Sequence, residues 1–311
     1  MKRVFVTGGS GFVGGALIPA LVARGVEVVA LARSDAAAAK VRALGAEPAI
    51  GDLDVADPKL VEAMRGCDVV FHAAAIAKEH GRLRDFMRTN VEGTRTLLKL
   101  AREANVPRFV HVSTEAVLAD GKPIVRAVET APYPAKPAGP YPISKGAAER
   151  IVVEAKGIVI RPRFIWGRGD TSLLPQLVDR VKSGRYAWIG DGHYLTSTCH
   201  VRNVVEGAIA AAEHGTPGEI YFLTDGEPID FRDFLTKYLA TQGVDAGTRT
   251  VPRWVAKTAA ALTGWMRNPP VTKTAIALVG GEVTVVDAKA RRELGYQSHV
   301  SIDDGLREMR G

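Results

Sequence analysis

Short β-branched runs alternate with longer amphipathic stretches through the first half of the chain. Residues 4–6, 26–31, 69–71 and 109–112 have strand length and strand composition, and helical patterns separate them. Such alternation predicts an α/β protein built on a parallel sheet. Over 12–24, Phe12, Ala16, Leu17, Ala20 and Leu21 fall on one helical stripe, and Gly25 is placed to end that helix. Further helices are predicted over 35–44, 59–64 and 86–104. A strand at 158–160 leads into Arg161-Pro162-Arg163-Phe164-Ile165-Trp166-Gly167, where the rhythm lapses. A helix at 201–213 and a strand at 220–223 read as a return to the sheet. The expected division is 1–162 plus about 199–225 as one domain, with about 163–198 and 226–311 as a smaller, discontinuous second one.

A length of 311 residues fits that division and leaves room for a sizeable core. Apolar residues at 46% and charged residues at 24% exclude disorder, collagen and coiled coil. The net charge of +7 is scattered, so no nucleic-acid partner is expected. Cys67 and Cys199 lie too far apart to build a disulfide framework or a zinc cluster, which points to a reducing, cytoplasmic home. No window reaches the length of a transmembrane helix, and the N-terminus enters a strand at once, so a soluble protein without a signal peptide is expected. The apolar stretch from Trp254 to Met266 contains Lys257 and reads as a helix over a site. Peripheral membrane contact there is the alternative.

Directly after the first strand comes Thr7-Gly8-Gly9-Ser10-Gly11-Phe12-Val13-Gly14, at the start of a helix. Gly8 permits a tight turn, Gly11 admits a pyrophosphate to the backbone, and Gly14 allows close helix packing. The N–H groups of the first helical turn, including those of Phe12 and Val13, face the anion. The second strand ends in Ala32-Arg33-Ser34-Asp35 and lacks the carboxylate that takes the ribose hydroxyls of NAD. Arg33 with the Ser34 hydroxyl suits a 2′-phosphate, which favours NADP(H) over NAD(H). Asp52 and Leu53 are placed to hold the adenine edge. Ala73, Ala74 and Ala75 give small side chains where a cofactor would pass.

In Gly139-Pro140-Tyr141-Pro142-Ile143-Ser144-Lys145, Pro142 suits a first helical turn and places Tyr141 and Lys145 one turn apart on the same face. An ammonium there lowers the cost of forming a phenolate, so the phenol can exchange a proton with a substrate alcohol. The lysine can also bind ribose hydroxyls. The strand at 109–112 ends in Ser113-Thr114, at the sheet edge where α/β folds place ligands, and Thr114 is placed to hydrogen-bond the reacting oxygen.

TGGSGFVG at 7–14, VST at 112–114 and YPISK at 141–145 together resemble the extended short-chain dehydrogenase/reductase family, over essentially the whole chain. The resemblance implies a Rossmann doubly wound sheet of seven strands, a nicotinamide cofactor, and proton transfer through Tyr141. It gives Thr114 and Lys145 the places of the family's catalytic hydroxyl and lysine. Asn90 matches the family's asparagine on the long helix, commonly structural and near the proton path, and is counted among the cofactor-binding residues; the turn from Pro162 to Ile165 matches the family's carboxamide-contacting segment. A homodimer through the helices at about 86–104 and 141–155 follows by the same analogy.

Sugar-nucleotide members are similar as far as Gly190-Asp191-Gly192, then continue with an arginine and an aspartate. Here the chain reads Leu195-Thr196-Ser197-Thr198-Cys199-His200-Val201-Arg202-Asn203. A diphosphate would lose its bidentate guanidinium partner, unless Arg163, Arg168, Arg185 or Arg202 replaced it. A neutral substrate is therefore favoured. Phe164, Trp166, Tyr186, Trp188, Tyr194, Trp254, Trp265 and Met266 are a set able to wall an apolar cleft, and Ser113 is assigned to substrate with Phe164, Trp166, Trp188 and Tyr194. HVRNVV at 200–205 and the ending at 287–296 resemble the 3β-hydroxysteroid dehydrogenase branch. The expected reaction is hydride transfer between the nicotinamide and a secondary alcohol or ketone on a bulky apolar skeleton. The alternatives are a nucleotide-sugar epimerase or dehydratase, and a non-catalytic NAD(P) sensor. The intact Tyr-x-x-x-Lys counts against the sensor. His80, His193, His200 and His214 show no ligand spacing, so no catalytic metal is expected.

Overall fold

A computed structural model describes the chain except Glu79, Gly264, Trp265, Arg267, Asn268, Pro270 and Gly311. The expectation for Trp265 therefore lies outside the described residues. Seven parallel strands make the main sheet: β1 (Arg3–Thr7), β2 (Glu27–Ala32), β3 (Glu47–Ile50), β4 (Val69–His72), β5 (Arg108–Val112), β6 (Ile158–Pro162) and β7 (Ile220–Leu223). Their spatial order is β7-β6-β5-β4-β1-β2-β3. Apart from the edge strand β3, whose ends are exposed, the strands are largely apolar on both faces because both faces are covered. Leu17, Ile18 and Leu21 of the helix Phe12–Val22 and Val204, Val205 and Ala208 of the helix Val201–His214 cover one. Leu97 and Leu100 of the helix Gly93–Glu103 and Val152 of the helix Pro140–Glu154 cover the other. This is the doubly wound Rossmann arrangement, and its strand order reverses at β1, where β4 and β2 flank it.

Gly25 ends the first helix in the left-handed region, with φ +73. Its N–H reaches Val22 O, and Val26 N–H reaches Leu21 O. The helix expected over 86–104 departs from its pattern. It begins as Leu83–Phe86, widens to a π-helix over Met87–Glu92, and continues as Gly93–Glu103. A period of 3.6 carries no sign of such a widened turn.

A four-stranded sheet, in the order Ile229–Asp230, Leu195–Thr196, Val283–Val285 and Ile124–Ala127, forms beside the main one. Two expected boundaries need correction here. The strand Ile124–Ala127 belongs to the small sheet although it lies within 1–162. Ala290, Leu294 and Tyr296 pack into the main core although they lie within 226–311. Short strands and single apolar side chains carry no mark of the layer they will join. No helix among the described residues is long and apolar enough to cross a membrane.

The helix Pro140–Glu154 is fastened to the sheet by Glu149, which is fully buried. Its carboxylate accepts from Ser113 Oγ at the end of β5, from Tyr133 OH, and from Nε (3.1 Å) and Nη2 of Arg161 in β6. Arg161 is itself fully buried, so losing the carboxylate would strand a cation without its counter-charge. Glu149→Gln is expected to lower stability by about 3–5 kcal/mol. The measurement is a urea midpoint that falls at unchanged slope.

Candidate active site

At the end of β1, Gly8 adopts φ +73, and a Cβ added there would sit 2.7 Å from the backbone of Ala73. A Cβ on Gly14 would lie 2.3 Å from Gly8 O. Only glycine lets β1, the first helical turn and the end of β4 meet so closely. Gly11 is the N-cap and offers no side-chain acceptor, so the N–H groups of Phe12, Val13 and Gly14 have no partner within the helix. A groove of about 800 Å³ starts at this turn. Its walls include Gly8, Gly11, Arg33, Ser34, Asp52, Leu53, Ala73, Ala74 and Ala75, together with Ser10, Leu31 and Ile76, which the sequence did not single out. Arg33 is exposed at the rim. The Ser34 hydroxyl caps the helix Asp35–Ala43 by accepting from Ala37 N at 3.3 Å. A cradle closed to any Cβ, with uncapped N–H groups above it, fits a dinucleotide pyrophosphate.

Asn90 is not part of that wall. It is buried in the π-turn, where its amide accepts from Ile76 N (2.7 Å) and donates to Ile76 O (3.1 Å) and Ser144 Oγ (3.0 Å). It holds the loop that forms the wall, so its expected place at the cofactor is corrected to one behind it. His72 is pinned between Thr7 Oγ1 (2.7 Å) and Thr94 Oγ1 (2.8 Å). Burial, with the nearby Lys145 charge, pushes its pKa down to about 3, so it stays neutral.

Tyr141 stands in the first turn of its helix, half-buried, in the wall of a second cavity of about 200 Å³. Thr114, Pro162 and Ile165 line the same space, and so do Glu115 and Arg163. The electrostatics there reverse the expectation. Lys145 is buried and its Nζ is turned to Val112 O (2.8 Å) and His111 Nε2 (3.0 Å) of β5. Burial lowers its pKa to about 8, with Glu149 opposing. The charge felt by the phenol is the carboxylate of Glu115. Burial and that carboxylate raise the Tyr141 pKa well above its ordinary value, and the Thr114 hydroxyl only partly offsets them. Helical spacing aligned the two Cα positions, but a buried ammonium needs acceptors, and β5 supplies them.

Glu115 is the site residue that the sequence reading missed. It accepts the Thr114 hydroxyl at 2.8 Å and is paired at 3.0 Å with Arg163, both partners being buried. Arg163 continues to Thr196 Oγ1 (3.1 Å) and Leu278 O (2.7 Å) of the second layer. The carboxylate follows Thr114 directly in sequence, and an acid beside a candidate catalytic hydroxyl was the available signal. The Ser113 hydroxyl is spent on Glu149, which corrects its assignment to substrate, although the residue lines the cavity.

A third cavity of about 270 Å³ adjoins, and Phe164, Leu173, Ala275 and Val279 wall both. Phe164 sits at φ +43, uncommon for a bulky residue, and so presents its ring to both spaces. Tyr186, Trp188 and Tyr194 line the larger one. Trp166 does not. It is fully buried, donates from Nε1 to Asp225 Oδ2 at 2.7 Å, and packs edge-on against His200 and Phe234. Its expected contact with substrate is corrected to a core role. Trp254 and Met266 are exposed and line neither cavity. The cluster of His193, Asp230 and Asp233 is surface-exposed or half-buried, and Asp230 already caps the helix Phe231–Ala240.

The 3-beta hydroxysteroid dehydrogenase/isomerase family matches residues 5–253. The chain belongs to this family. It is thereby an extended short-chain dehydrogenase/reductase and an NAD(P)-dependent oxidoreductase. A relative in Stigmatella aurantiaca, 4-hydroxy-2-methyl-3-oxo-4-farnesyl-3,4-dihydroquinoline-1-oxide ketoreductase, is 50% identical over 99% of this chain and 96% of its own. The decarboxylating sterol-4-alpha-carboxylate 3-dehydrogenase of Dictyostelium discoideum is 31% identical over 99% and 100%. Among solved structures, a double mutant of DesIV, a dTDP-glucose 4,6-dehydratase from Streptomyces venezuelae with NAD bound, is 26% identical. It superposes with a TM-score of 0.77, covering 99% of this chain and 96% of that one.

Removing the Glu115 charge removes the repulsion that disfavours a phenolate. Glu115→Gln is expected to lower the pH at which Tyr141 ionises by about one unit. The check is the ultraviolet titration difference between each form and its Tyr141→Phe counterpart.

Proposed function

We propose that the protein is a reductase that uses NADPH to convert a ketone on a bulky apolar skeleton to the secondary alcohol. The observation that carries this reading is a phenol kept protonated where a dinucleotide groove meets an apolar cavity. Ala77 and Lys78 wall both the groove and the space in front of Tyr141. Bound NADPH would supply the hydride to the carbonyl carbon. Tyr141 donates its proton to the carbonyl oxygen, and Thr114 is assigned to orient that oxygen by turning its hydroxyl from Glu115 to it. The raised pKa keeps Tyr141 in the protonated form from which reduction starts. Pro162 with Ile165 is assigned to the carboxamide, and Lys145 is assigned to the nicotinamide ribose, which it reaches only by turning its Nζ away from Val112 O and His111. Arg33 and Ser34, beside the helix N-terminus at Asp35, are assigned to the 2′-phosphate.

Apolar side chains dominate the lining of the larger cavity, which also includes Arg180, Arg185 and Arg249, and they support an apolar substrate skeleton. Phe164, Trp188 and Tyr194 form the wall against which its skeleton would lie. Of the arginines able to hold a diphosphate, Arg163 is committed to Glu115 in a buried pair, while Arg185 pairs with Asp179 and Arg202 with Glu308 at the surface. The Stigmatella aurantiaca relative is named for a ketone that carries a farnesyl chain, which agrees with this reading.

Tyr141→Phe is expected to lower kcat for reduction of an apolar ketone by about 10²–10⁴-fold, with NADPH affinity little changed. Turnover of a UDP- or dTDP-sugar by the purified protein, with none of any sterol, terpenoid or aromatic ketone, overturns the substrate assignment. In fluorescence titrations, Arg33→Ala is expected to weaken NADPH by about tenfold to a hundredfold while leaving NADH unchanged.

A further inference from the structure

The helix Arg253–Thr263 is the wall of the larger cavity that has a second face. Val255, Ala256 and Ala259 line the cavity, and Ala256 and Ala260 pack on Ile276. The opposite stripe, with Trp254, Lys257, Thr258, Ala261 and Leu262 at helical spacing, is exposed. Trp254 is 71% and Leu262 68% exposed, and Met266, just beyond the helix, is 42% exposed. Trp254 and Leu262 are the two most exposed bulky apolar side chains among the described residues. The charge along this stretch of sequence is one-sided. Between Asp245 and Glu282 the sequence contains Arg249, Arg253, Lys257, Arg267 and Lys273 and no acidic residue. A tryptophan and a leucine on an outward stripe, in a segment that is purely cationic, match what binds the headgroup region of an anionic bilayer.

We propose that this stripe docks on an anionic membrane surface, so that one helix separates the bilayer from the apolar cavity beneath it. The proposal extends the reductase reading, because a substrate apolar enough for that cavity partitions into lipid. Docking places the cavity where such a molecule is concentrated, and the helix lies in the plane of the surface. Trp254 and Leu262 enter the acyl boundary, and Lys257 faces the lipid phosphates. Neither residue serves the chemistry at Tyr141, which lies beyond the cavity.

The test is flotation of the full-length protein with vesicles of phosphatidylcholine alone and with vesicles containing phosphatidylglycerol. Binding to the anionic vesicles is expected, weakening as salt screens the charge. Lys257→Glu should lower the partition coefficient by about tenfold. Trp254→Ser combined with Leu262→Ser should abolish flotation while leaving the melting temperature unchanged. Failure to float with anionic vesicles, equal flotation with both vesicle types, or flotation unaffected by the Trp254→Ser/Leu262→Ser pair overturns the proposal. A lipid-free dimer that Trp254→Ser dissociates does so too, by showing that a second copy covers the stripe. Because flotation needs no turnover, a negative result leaves the ketone assay free to stand or fall separately.

Discussion

One buried carboxylate decides where the helix bearing Tyr141 lies. Glu149 draws a hydroxyl from the end of β5, a guanidinium from β6 and a phenol from the intervening loop onto two oxygens, and thereby fixes the helix in azimuth and height against the sheet. Everything in front of it inherits that placement. Tyr141 comes over the strand-end hydroxyl of Thr114, and Lys145 comes over the last carbonyl of β5. Hydrophobic packing alone would tolerate small rotations of this helix, whereas a carboxylate held by three partners does not.

The second buried pair, Glu115 with Arg163, governs the site rather than the frame. Taking two charges out of water costs about as much as their attraction returns, so such a pair is a poor way to gain stability. Its effect is electrostatic and directional. The carboxylate takes the only proton that Thr114 can donate and opposes ionisation of Tyr141. The guanidinium ties the pair to Thr196 and Leu278, so the proton-donating end of the site is braced by the layer that walls the apolar cavity.

Six strands of the main sheet were legible in the sequence because they are largely apolar on both faces; β3, Glu47–Ile50, was not, since its ends are exposed and it carries no such run. The glycine turn was legible for a related reason: Gly8 and Gly14 occupy positions where no Cβ fits. The small sheet was not, since strands such as Leu195–Thr196 are too short to have a period. Spacing placed Tyr141 and Lys145 on one face, yet it could not show that His111 and Val112 would claim the ammonium, because those acceptors come from a strand more than thirty residues earlier. Trp166 and Trp188 are equally aromatic in sequence. Only packing separates them, one locked to Asp225 in the core and the other facing a cavity.

The loop that carries Ala77 and Lys78 is a party wall between two compartments, and Asn90 braces it from behind at Ile76. Whichever guest arrives first completes part of the other's room. By linkage, any tightening that one guest gives the other through this partition is returned in equal measure. A substitution at Ala77 or Lys78 therefore alters both rooms at once.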